Sequence, residues 1–278
     1  MELVWITSAN GLIGSQLLRT APYSNARGLT RQDIDLTDHE KVRRLFREQK
    51  PGLVIHCAAL SKSQDCQVNP PLARKINVEV TAQLAELAVD IPFVFFSTDL
   101  VFDGQAGNYD ESTQVNPLSV YGETKAAAEQ IVLANPKHTV IRTSLNGGVS
   151  PTGDRGFNEE LRRAWQQGRK LYLFNDEFRS PIAASVTARA IWELVAQNRP
   201  GLYHVAGSER LSRWQIGQLV ATRWPQLNPQ MESGSLKEYH GAPRAPDTSL
   251  NCAKVQGLLR FPLPGLTDWL TANPNEPF

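Results

Sequence analysis

The stretch LVWITSANGLIG, residues 3–14, decides the fold. Its first half, Leu3 to Thr7, is a short apolar run of the kind that forms a buried β-strand. A turn that contains Gly11 follows, and the chain from Gly11 to Arg19 has the spacing of a helix. Glycines let the backbone approach a pyrophosphate, and the free N–H groups at a helix N-terminus carry a partial positive charge. A strand, a glycine-containing turn and a helix start therefore predict a dinucleotide site.

One position of this turn departs from the fingerprint GxxGxxG of dinucleotide sites. Ser8 stands in the place of the first glycine. If that place needs a positive φ, a side chain costs about 1–2 kcal/mol there, so we expect either a turn that tolerates Ser8 or a weakened affinity for the cofactor. A bare GxxG pair also occurs in ordinary strand–helix turns, but its place directly after a buried strand favours the dinucleotide interpretation. The residues predicted to contact the cofactor here are Ser8, Asn10, Gly11, Leu12, Ile13 and Gly14.

Apolar runs alternate with helical patterns through the first half of the chain. Strand patterns occupy residues 54–57, 93–96 and 140–141, and a helical pattern covers residues 120–134. Strands separated by helices of this length are typical of βαβ units with a parallel sheet. The predicted fold class is α/β, a doubly wound parallel sheet of the Rossmann type with a smaller α/β lobe. Such sheets bind ligands at the carboxyl ends of their strands.

The second half of the chain is less regular, and a composition shift near residues 146–148 marks a candidate boundary. Residues 1–145 are predicted to form the dinucleotide-binding domain, to which the chain returns at about 181–207. Residues 146–278 are predicted to form mainly a substrate-binding lobe. Further predictions are a continuous helical pattern over residues 72–87, a capping box at Ser212 and Gln215, and loops over residues 224–246.

Composition argues against several classes of function. The 278 residues carry 29 Lys and Arg against 28 Asp and Glu, a net charge of +1, so no basic field predicts nucleic-acid binding. Cys57, Cys66 and Cys252 form no CxxC pair and the five histidines form no HExxH cluster, so we predict neither a disulfide scaffold nor a metal site. The absence of a signal-peptide pattern and of any run of about 18 apolar residues predicts a cytoplasmic protein without membrane contact.

The residues after the second predicted strand bear on the choice of nicotinamide cofactor. NAD sites place an acidic residue about 20 residues after the turn, whereas an Arg there suits a 2′-phosphate. Arg31 lies 17 residues after Gly14, and its guanidinium can pair with phosphate and stack on adenine. We therefore predict NADPH. Asp33 could restore some use of NADH, and the structural alternative is that Arg31 is simply solvated.

A YxxxK pair, Tyr121 and Lys125, lies on the helix predicted over residues 120–134. Residues at i and i+4 share one helix face. A phenol is a poor proton donor at neutral pH, and a neighbouring ammonium lowers its pKa by stabilising the phenolate. The stretch Ser97-Thr98-Asp99 ends the strand pattern 93–96 at the edge where ligands bind, and a hydroxyl there can hold a carbonyl oxygen. The alternative is an ordinary surface contact between a tyrosine and a lysine.

With these motifs the chain resembles extended short-chain dehydrogenases/reductases of the dTDP-4-dehydrorhamnose reductase type. The resemblance runs from residue 3 to about residue 256, and its most specific strings are STDLVFDG (97–104) and YGETK (121–125). Other matching strings are NGLIG (10–14), DLTD (35–38), HCAA (56–59), NV (77–78), IRTS (141–144), SP (180–181) and GLYHVAG (201–207).

The resemblance implies an NADPH-dependent oxidoreductase and a role for each matching residue. It implies Thr98, Tyr121 and Lys125 as the catalytic triad, with Tyr121 and Lys125 also contacting the cofactor. The other implied contacts are Asp35 and Leu36 near the adenine, Cys57, Ala58 and Ala59 along the ribose and pyrophosphate, and Ser61, Thr98, Arg179 and Arg244 at the substrate or cleft. The alternative for Arg179 and for Arg244 is a pairing with a local acid such as Asp247 or Glu177. The implied partner is a nucleotide sugar, and a homodimer is left open.

Three departures from the family pattern lie in the parts that select the substrate. Leu100 replaces a common Tyr, Leu145 and Asn146 replace an aromatic residue after the RTS string, and residues 176–182 read DEFRSPI where the family has DQxGxPT. Three functions therefore stay open. The chain reduces a nucleotide-linked 4-keto-deoxysugar, it reduces another carbonyl compound, or it is a non-catalytic NADP-binding regulatory subunit that resembles the methionine adenosyltransferase beta subunit.

Overall fold

The computed structural model describes residues 3–276 and 278 of the chain. Its strands are β1 (Val4–Thr7), β2 (Ala26–Leu29), β3 (Leu53–His56), β4 (Phe93–Thr98), β5 (His138–Thr143), β6 (Asn146–Gly147), β7 (Leu171–Phe174), β8 (Phe178–Arg179), β9 (Ile182–Ala183), β10 (Gly201–Val205), β11 (Leu211–Ser212) and β12 (Met231–Gly234). Its α-helices are α1 (Leu12–Arg19), α2 (His39–Gln49), α3 (Ser63–Val68), α4 (Pro70–Arg74), α5 (Val80–Leu87), α6 (Val120–Leu133), α7 (Phe157–Gln166), α8 (Ala184–Gln197), α9 (Arg213–Ala221), α10 (Ala253–Gln256) and α11 (Leu266–Ala272). A π-helical turn, Lys75–Glu79, connects α4 to α5.

Six parallel strands form the central sheet in the order β10-β5-β4-β3-β1-β2. Both faces of this sheet are covered by helices, because successive strand residues point to opposite sides and here both sides are apolar. Val4 and Ile6 of β1 pack in one cluster with residues of α1 and α8, whereas Trp5 packs with residues of α2, α5 and α6. The arrangement confirms the predicted doubly wound parallel sheet.

The carboxyl ends of four central strands bring polar side chains to one edge of the sheet. Thr7 ends β1, His56 ends β3, Thr98 ends β4 and Thr143 ends β5. All four side chains are buried. Buried polar groups need hydrogen-bond partners, and at this edge many of those partners come from the loops that follow the strands.

A third apolar cluster holds much of the C-terminal half together. It draws on α7, α9, α11 and β7, and Trp165, Ile216 and Trp269 are among its buried members. Three two-stranded pairings, β6 with β9, β7 with β12 and β8 with β11, lie outside the central sheet. The chain also returns from this half to the central sheet, where β10 pairs with β5.

Two local predictions differ from the structure and one is confirmed. The predicted loops over 224–246 include β12, which pairs in parallel with β7, so pairing with an apolar strand overrides the low strand propensity of β12. The helical pattern over 72–87 is interrupted by the π turn, which apolar spacing does not reveal. The capping box of α9 is confirmed, because Ser212 Oγ accepts from the N–H of Gln215 at 3.1 Å and Gln215 Oε1 accepts from the N–H of Ser212 at 2.8 Å.

The cysteines are free thiols, with Cys66 buried and Cys57 and Cys252 half-buried. In the part of the chain that the structure describes, no cluster of three or more His, Cys, Asp or Glu side chains could hold a metal ion. Across residues 3–276 and 278, no helix combines the length and apolar character needed to cross a membrane.

Candidate active site

The turn after β1 has the geometry of a phosphate-binding loop. Ser8 adopts a left-handed backbone conformation with a φ of 53°, and the N–H of Gly11 donates to the Ser8 carbonyl oxygen at 2.8 Å. A Cβ atom at Gly14 would lie 2.3 Å from that oxygen, so glycine is required for α1 to approach the turn this closely. The turn thus tolerates Ser8 in a conformation that favours glycine.

The N-terminus of α1 faces the end of this turn. Gly11 is the N-cap of the helix and makes no side-chain capping bond, so the first N–H groups are available to an anionic ligand. Of the other predicted contacts, Asn10 is exposed, Ile13 is half-buried and Leu12 is buried. The positive end of the helix therefore lies where the sequence predicts the pyrophosphate.

The turn after β2 contains an exposed arginine, Arg31, and a carboxylate, Asp33, that already accepts hydrogen bonds within the turn. Arg31 is exposed. The Asp33 carboxylate accepts hydrogen bonds from the hydroxyl and the N–H of Thr30, at 2.6 and 2.8 Å, and these bonds hold the pKa of Asp33 below its ordinary value. Because Asp33 already serves as a turn cap, the structure favours Arg31 as the residue that meets the adenosine end of a cofactor.

The next predicted contacts, Asp35 and Leu36, lie in the connection to α2. The Asp35 carboxylate accepts from the N–H and the hydroxyl of Thr37, both at 2.9 Å. Leu36 is half-buried and packs against the apolar cluster that contains Trp5. These contacts fix the backbone of the segment that would line an adenine ring.

Thr7 fixes the segment after β3, and sequence reasoning assigned it no role. Its hydroxyl oxygen accepts from the N–H groups of Cys57 and Ala58 at 3.0 and 3.1 Å. The same oxygen lies 2.9 Å from Nδ1 of His56, and Nε2 of His56 lies 3.2 Å from the hydroxyl of Thr81. Burial, and to a lesser extent Lys125, lowers the pKa of His56 to about 3, so the imidazole is neutral at physiological pH. The predicted ribose and pyrophosphate contacts are therefore held by a buried polar network.

Asn77, in the π turn, connects the loop after β3 to α6 through hydrogen bonds. Its Oδ1 accepts from the N–H of Leu60 at 2.8 Å, while its Nδ2 donates to the Leu60 carbonyl oxygen at 3.1 Å and to the Thr124 hydroxyl at 3.0 Å. Beside Leu60, Ala59 is half-buried and Ser61 is exposed. Asn77 belongs to the NV string (77–78), but nothing in the sequence indicated that Asn77 contacts α6.

Thr98 and Tyr121 meet where β4 ends and α6 begins. A Cβ atom on Gly122 would lie 2.2 Å from the carbonyl oxygen of Leu100, so the glycine of the YGETK string lets α6 lie directly on the turn after β4. The Thr98 hydroxyl lies beside Tyr121 and acts to lower the pKa of Tyr121, and it donates to Oδ1 of Asp99 at 3.1 Å. The structure therefore places two of the three predicted catalytic residues, Thr98 and Tyr121, side by side.

Lys125 is buried one turn further along α6. Its Nζ lies 3.9 Å from the centroid of the Phe95 ring, and the residue is 2% exposed. Burial lowers the pKa of Lys125 to about 7, opposed mainly by the Glu129 carboxylate. Burial and the Asp99 carboxylate raise the pKa of Tyr121 above its ordinary value. The expected lowering of the Tyr121 pKa by Lys125 is therefore not seen, because burial disfavours the charged forms of both groups.

A buried carboxylate, Glu177, gathers three arginines in the C-terminal half. Arg179 donates to it at 2.7 Å, Arg213 at 3.3 Å, and Arg244 through two bonds of 2.9 Å. Burial opposes ionisation, but the three guanidinium groups hold the pKa of Glu177 at about 2. One carboxylate facing three cations leaves a surplus of positive charge, which favours the arrival of an anion.

The structure separates the two arginines that were expected to face the substrate. Arg179 is 2% exposed, donates to two backbone carbonyls at 2.6 and 3.1 Å, and forms an ion pair with Asp99 at 3.7 Å. Its burial contradicts the expectation that it faces the cleft, because its donors are directed into the protein. Arg244 keeps 30% of its side chain exposed beside two aromatic rings and can reach a ligand.

The last residue of the STDLVFDG string (97–104) also contacts the C-terminal half of the chain. Gly104 has a φ of 79°, and a Cβ atom there would lie 2.8 Å from the backbone nitrogens of Pro246 and Asp247. The N–H of Asp247 donates to the Gly104 carbonyl oxygen at 3.1 Å. The end of this string therefore has a structural role, whereas its Thr98 lies in the candidate site.

The departure at Asn146 also has a structural explanation. Its Nδ2 donates to the hydroxyl of Thr143 at 2.8 Å, and its Oδ1 accepts from the hydroxyl of Thr187 at 2.7 Å. Its neighbour Leu145 is half-buried and uses its carbonyl oxygen to accept from the N–H of Ile182 at 2.9 Å. Asn146 thus links β5 to α8 through its amide group.

The class of protein follows from fold and site taken together. Many enzymes share a parallel α/β sheet with a phosphate turn after the first strand, so the fold alone does not name a chemistry. The Tyr121–Lys125 pair beside Thr98 narrows the class to oxidoreductases of the extended short-chain dehydrogenase/reductase type. The chain belongs to the RmlD substrate-binding domain family, which it matches over residues 1–273.

Known proteins similar to this chain include a reductase, a methionine adenosyltransferase subunit and a solved reductase structure. The probable low-salt glycan biosynthesis reductase Agl14 of Haloferax volcanii is 30% identical, with 96% of each chain covered. Methionine adenosyltransferase 2 subunit beta of Xenopus laevis is 25% identical, over 90% of this chain and 80% of its own. The crystal structure of dTDP-4-dehydrorhamnose reductase from Bacillus anthracis in complex with NADP is similar with a TM-score of 0.88 at 25% identity, covering 98% of each chain.

Proposed function

We propose that this protein is an NADPH-dependent reductase of a carbonyl group on a nucleotide-linked 4-keto-deoxysugar. The observation that carries the proposal is the placement of the Thr98 hydroxyl beside Tyr121, with the buried Lys125 one helical turn further on. Relatives support the cofactor and the substrate class, since the similar Bacillus anthracis structure is named dTDP-4-dehydrorhamnose reductase and holds NADP. The Haloferax relative is also named a reductase.

The residues at the carboxyl edge of the sheet fit a dinucleotide cofactor. Gly14 and the first N–H groups of α1 would hold the pyrophosphate. Arg31 would pair with the 2′-phosphate, and Lys125 would hold the nicotinamide ribose. Hydride donation to a carbonyl carbon is the chemistry that NADPH supplies when bound.

The part of the reaction that falls to the protein is to hold and protonate the carbonyl oxygen. Tyr121 donates its hydroxyl proton to that oxygen, and the Thr98 hydroxyl hydrogen-bonds the same oxygen. An ammonium on Lys125 would favour the phenolate that Tyr121 becomes, although Lys125 does not lower the pKa of Tyr121 in this structure. Because the pKa of Lys125 is about 7, a neighbouring negative charge favours its protonated form at physiological pH.

The arginine cluster supports an anionic substrate. Glu177 and Asp99 compensate two of the three positive charges on Arg179, Arg213 and Arg244. Of these arginines Arg244 is the most exposed, and a guanidinium suits the paired oxygens of a diphosphate. A nucleotide diphosphate bound at Arg244 would compensate the remaining charge.

Arg31 is expected to select NADPH over NADH. Arg31→Ala removes the guanidinium that would pair with the 2′-phosphate, and a hydrogen bond to a charged group contributes about 1.5–3 kcal/mol. The binding free energy of NADPH should weaken by that amount, so its Kd should rise, while the Kd for NADH should change little. Fluorescence titration with both cofactors measures the difference, and equal losses for the two would contradict the assignment.

Ser8→Gly is expected to relieve backbone strain without loss of cofactor binding. Ser8 has a φ of 53°, a region where a side chain costs about 1–2 kcal/mol and glycine does not. Part of the gain is offset by the greater freedom of glycine in the unfolded chain, so Tm should rise slightly and NADPH affinity should hold or improve. Thermal unfolding and cofactor titration check both; a large loss of affinity would instead show that the Ser8 hydroxyl contacts the cofactor.

The activity itself is tested by NADPH oxidation with a panel of carbonyl compounds. The panel should contain nucleotide-linked 4-keto-deoxysugars, the same sugars without the nucleotide, and small ketones. Turnover that depends on the nucleotide supports the proposal. Equal turnover without the nucleotide would support a reductase of another carbonyl compound, which the departures at Leu100 and Leu145 favour.

A regulatory role is the second candidate, and the similarity to methionine adenosyltransferase 2 subunit beta favours it. Tight NADPH binding without reduction of any carbonyl compound in the panel would support this role. The direct contact of Thr98 with Tyr121 argues for catalysis, because a protein that only binds the cofactor does not need a proton donor at the site.

A further inference from the structure

A buried arginine connects the candidate proton donor with the Glu177 cluster. Arg179 is 2% exposed and donates to Glu177 at 2.7 Å, while its Nε lies 3.7 Å from Oδ2 of Asp99. Asp99 is 4% exposed and directly follows Thr98. We propose that Arg179 is a positioning residue for the reaction, because its guanidinium compensates the Asp99 carboxylate, which accepts a hydrogen bond from the Thr98 hydroxyl of the candidate site. The inference rests on the proposed function, in which Tyr121 donates the proton.

Asp99 is buried, and both of its carboxylate oxygens accept hydrogen bonds. Its Oδ1 accepts from the hydroxyl of Thr98 at 3.1 Å, and its Oδ2 accepts from the hydroxyls of Ser144 and Thr248, both at 2.8 Å. These three donors are neutral. Among the residues that the structure describes, Arg179 is the only cation that forms an ion pair with Asp99. A buried charge is costly unless a charge of opposite sign and hydrogen bonds compensate it, and Arg179 supplies that opposite charge beside Asp99.

Asp99 and Tyr121 both lie beside the Thr98 hydroxyl. Thr98 donates to the Asp99 carboxylate at 3.1 Å, and Thr98 and Asp99 both act on the pKa of Tyr121. Apart from burial, the groups that raise the pKa of Tyr121 are Asp99 and Cys66. A negative charge beside a phenol disfavours the phenolate. The compensating charge of Arg179 therefore limits the effect of Asp99 on the proton donor.

The position of Arg179 is set by the Glu177 cluster. Glu177 holds the far end of the guanidinium, and Arg213 and Arg244 hold Glu177 from the other side. Lys125 faces a different set of groups, Glu129, Cys57 and Cys66, so its charge does not replace that of Arg179 beside Asp99.

The pH dependence of the reverse reaction, oxidation of the alcohol product by NADP+, tests this inference. In that direction Tyr121 must accept a proton, so the rate rises with pH as the phenolate forms. Arg179→Met removes the compensating charge, and the midpoint of the profile is expected to move up by about one pH unit. Below the midpoint the rate at a given pH falls about tenfold.

Asp99→Asn in the Arg179→Met background provides the decisive comparison. With no carboxylate left to compensate, the midpoint is expected to return to or below that of the wild type. Arg179→Lys keeps the charge and should keep the midpoint, which provides a test even if Arg179→Met folds poorly. Arg210→Met is the matched control, since Arg210 is half exposed and pairs with Asp247 in the same half of the chain.

A second readout does not depend on turnover. With 3-fluorotyrosine incorporated at position 121, the fluorine NMR shift follows ionisation of the phenol directly, and Arg179→Met is expected to move that titration to higher pH. Unchanged titrations in Arg179→Met, or a shift that Asp99→Asn does not reverse, would overturn the inference. If the wild type reduced no carbonyl compound, the proposed function would fail, whereas the NMR titration would still decide the role of Arg179.

Discussion

Tyr121→Phe lowers kcat for carbonyl reduction by about 10²–10⁴-fold, the usual contribution of general acid catalysis, and leaves the Kd for NADPH nearly unchanged. The change removes only the hydroxyl that contacts Thr98, while Gly122 still allows α6 to lie on the turn after β4. Steady-state kinetics with the best carbonyl substrate and a fluorescence titration with NADPH measure the two quantities separately.

Tyr172→Phe is the control for this result. Tyr172 is 67% exposed on β7 and has no part in the candidate site. Its loss of a hydroxyl should leave kcat and KM unchanged. Full turnover in Tyr121→Phe with a good substrate would contradict the proposed mechanism, because no proton donor would then have been removed.

The parts of the fold and site that could be predicted are those encoded locally. β1 and its turn were predicted from a single apolar run followed by glycines, and Tyr121 and Lys125 from a spacing of four residues on one helix. The carboxyl ends of parallel strands share one edge of the sheet, which placed residues 97–99 at the ligand edge, and the family resemblance then singled out Thr98. Apart from that choice of Thr98, each of these inferences needs only secondary structure and the direction of the chain.

The contacts that could not be predicted join residues that are distant in the sequence. Thr7 and His56 are 49 residues apart and meet only because β1 and β3 are neighbours with their carboxyl ends level. Asn77 reaches Thr124 across 47 residues because a π turn directs its side chain toward α6. Strand register and helix distortion decide such contacts, and apolar spacing carries no information about either.

Arg179 shows why a family pattern can mislead about a single residue. Its position in the DEFRSPI string suggested a substrate contact, since the neighbouring residues select the substrate in the family. In the structure its guanidinium is enclosed by Glu177 and Asp99, which are 78 residues apart in the sequence. The pairing with Glu177 is local and was the alternative considered for Arg179, whereas the pairing with Asp99 depends on how the C-terminal half docks on β4, which the local string does not encode.

Glu177→Gln lowers the free energy of unfolding by about 3–5 kcal/mol at neutral pH, the cost of removing one partner from a buried ion pair. The substitution keeps the shape of the side chain but leaves Arg179 and Arg213, both largely buried, without their shared carboxylate. Urea unfolding measures the loss. Glu232→Gln is the matched control, because Glu232 pairs with Lys170 at the surface of the same half of the chain, and exposed pairs contribute about 0–1 kcal/mol.

The loss in Glu177→Gln should also depend on pH, because the arginines hold the pKa of Glu177 at about 2 against an ordinary value of 4.5. A carboxylate whose pKa is lowered on folding contributes its full stability above the unfolded value and loses it as pH falls through the folded value. The difference in unfolding free energy between wild type and Glu177→Gln should therefore be constant above about pH 4.5 and shrink toward pH 2. A difference that stayed constant over this range, or a loss as small as that of Glu232→Gln, would show that the cluster is stabilised by packing of the arginine side chains and not by the charge of Glu177.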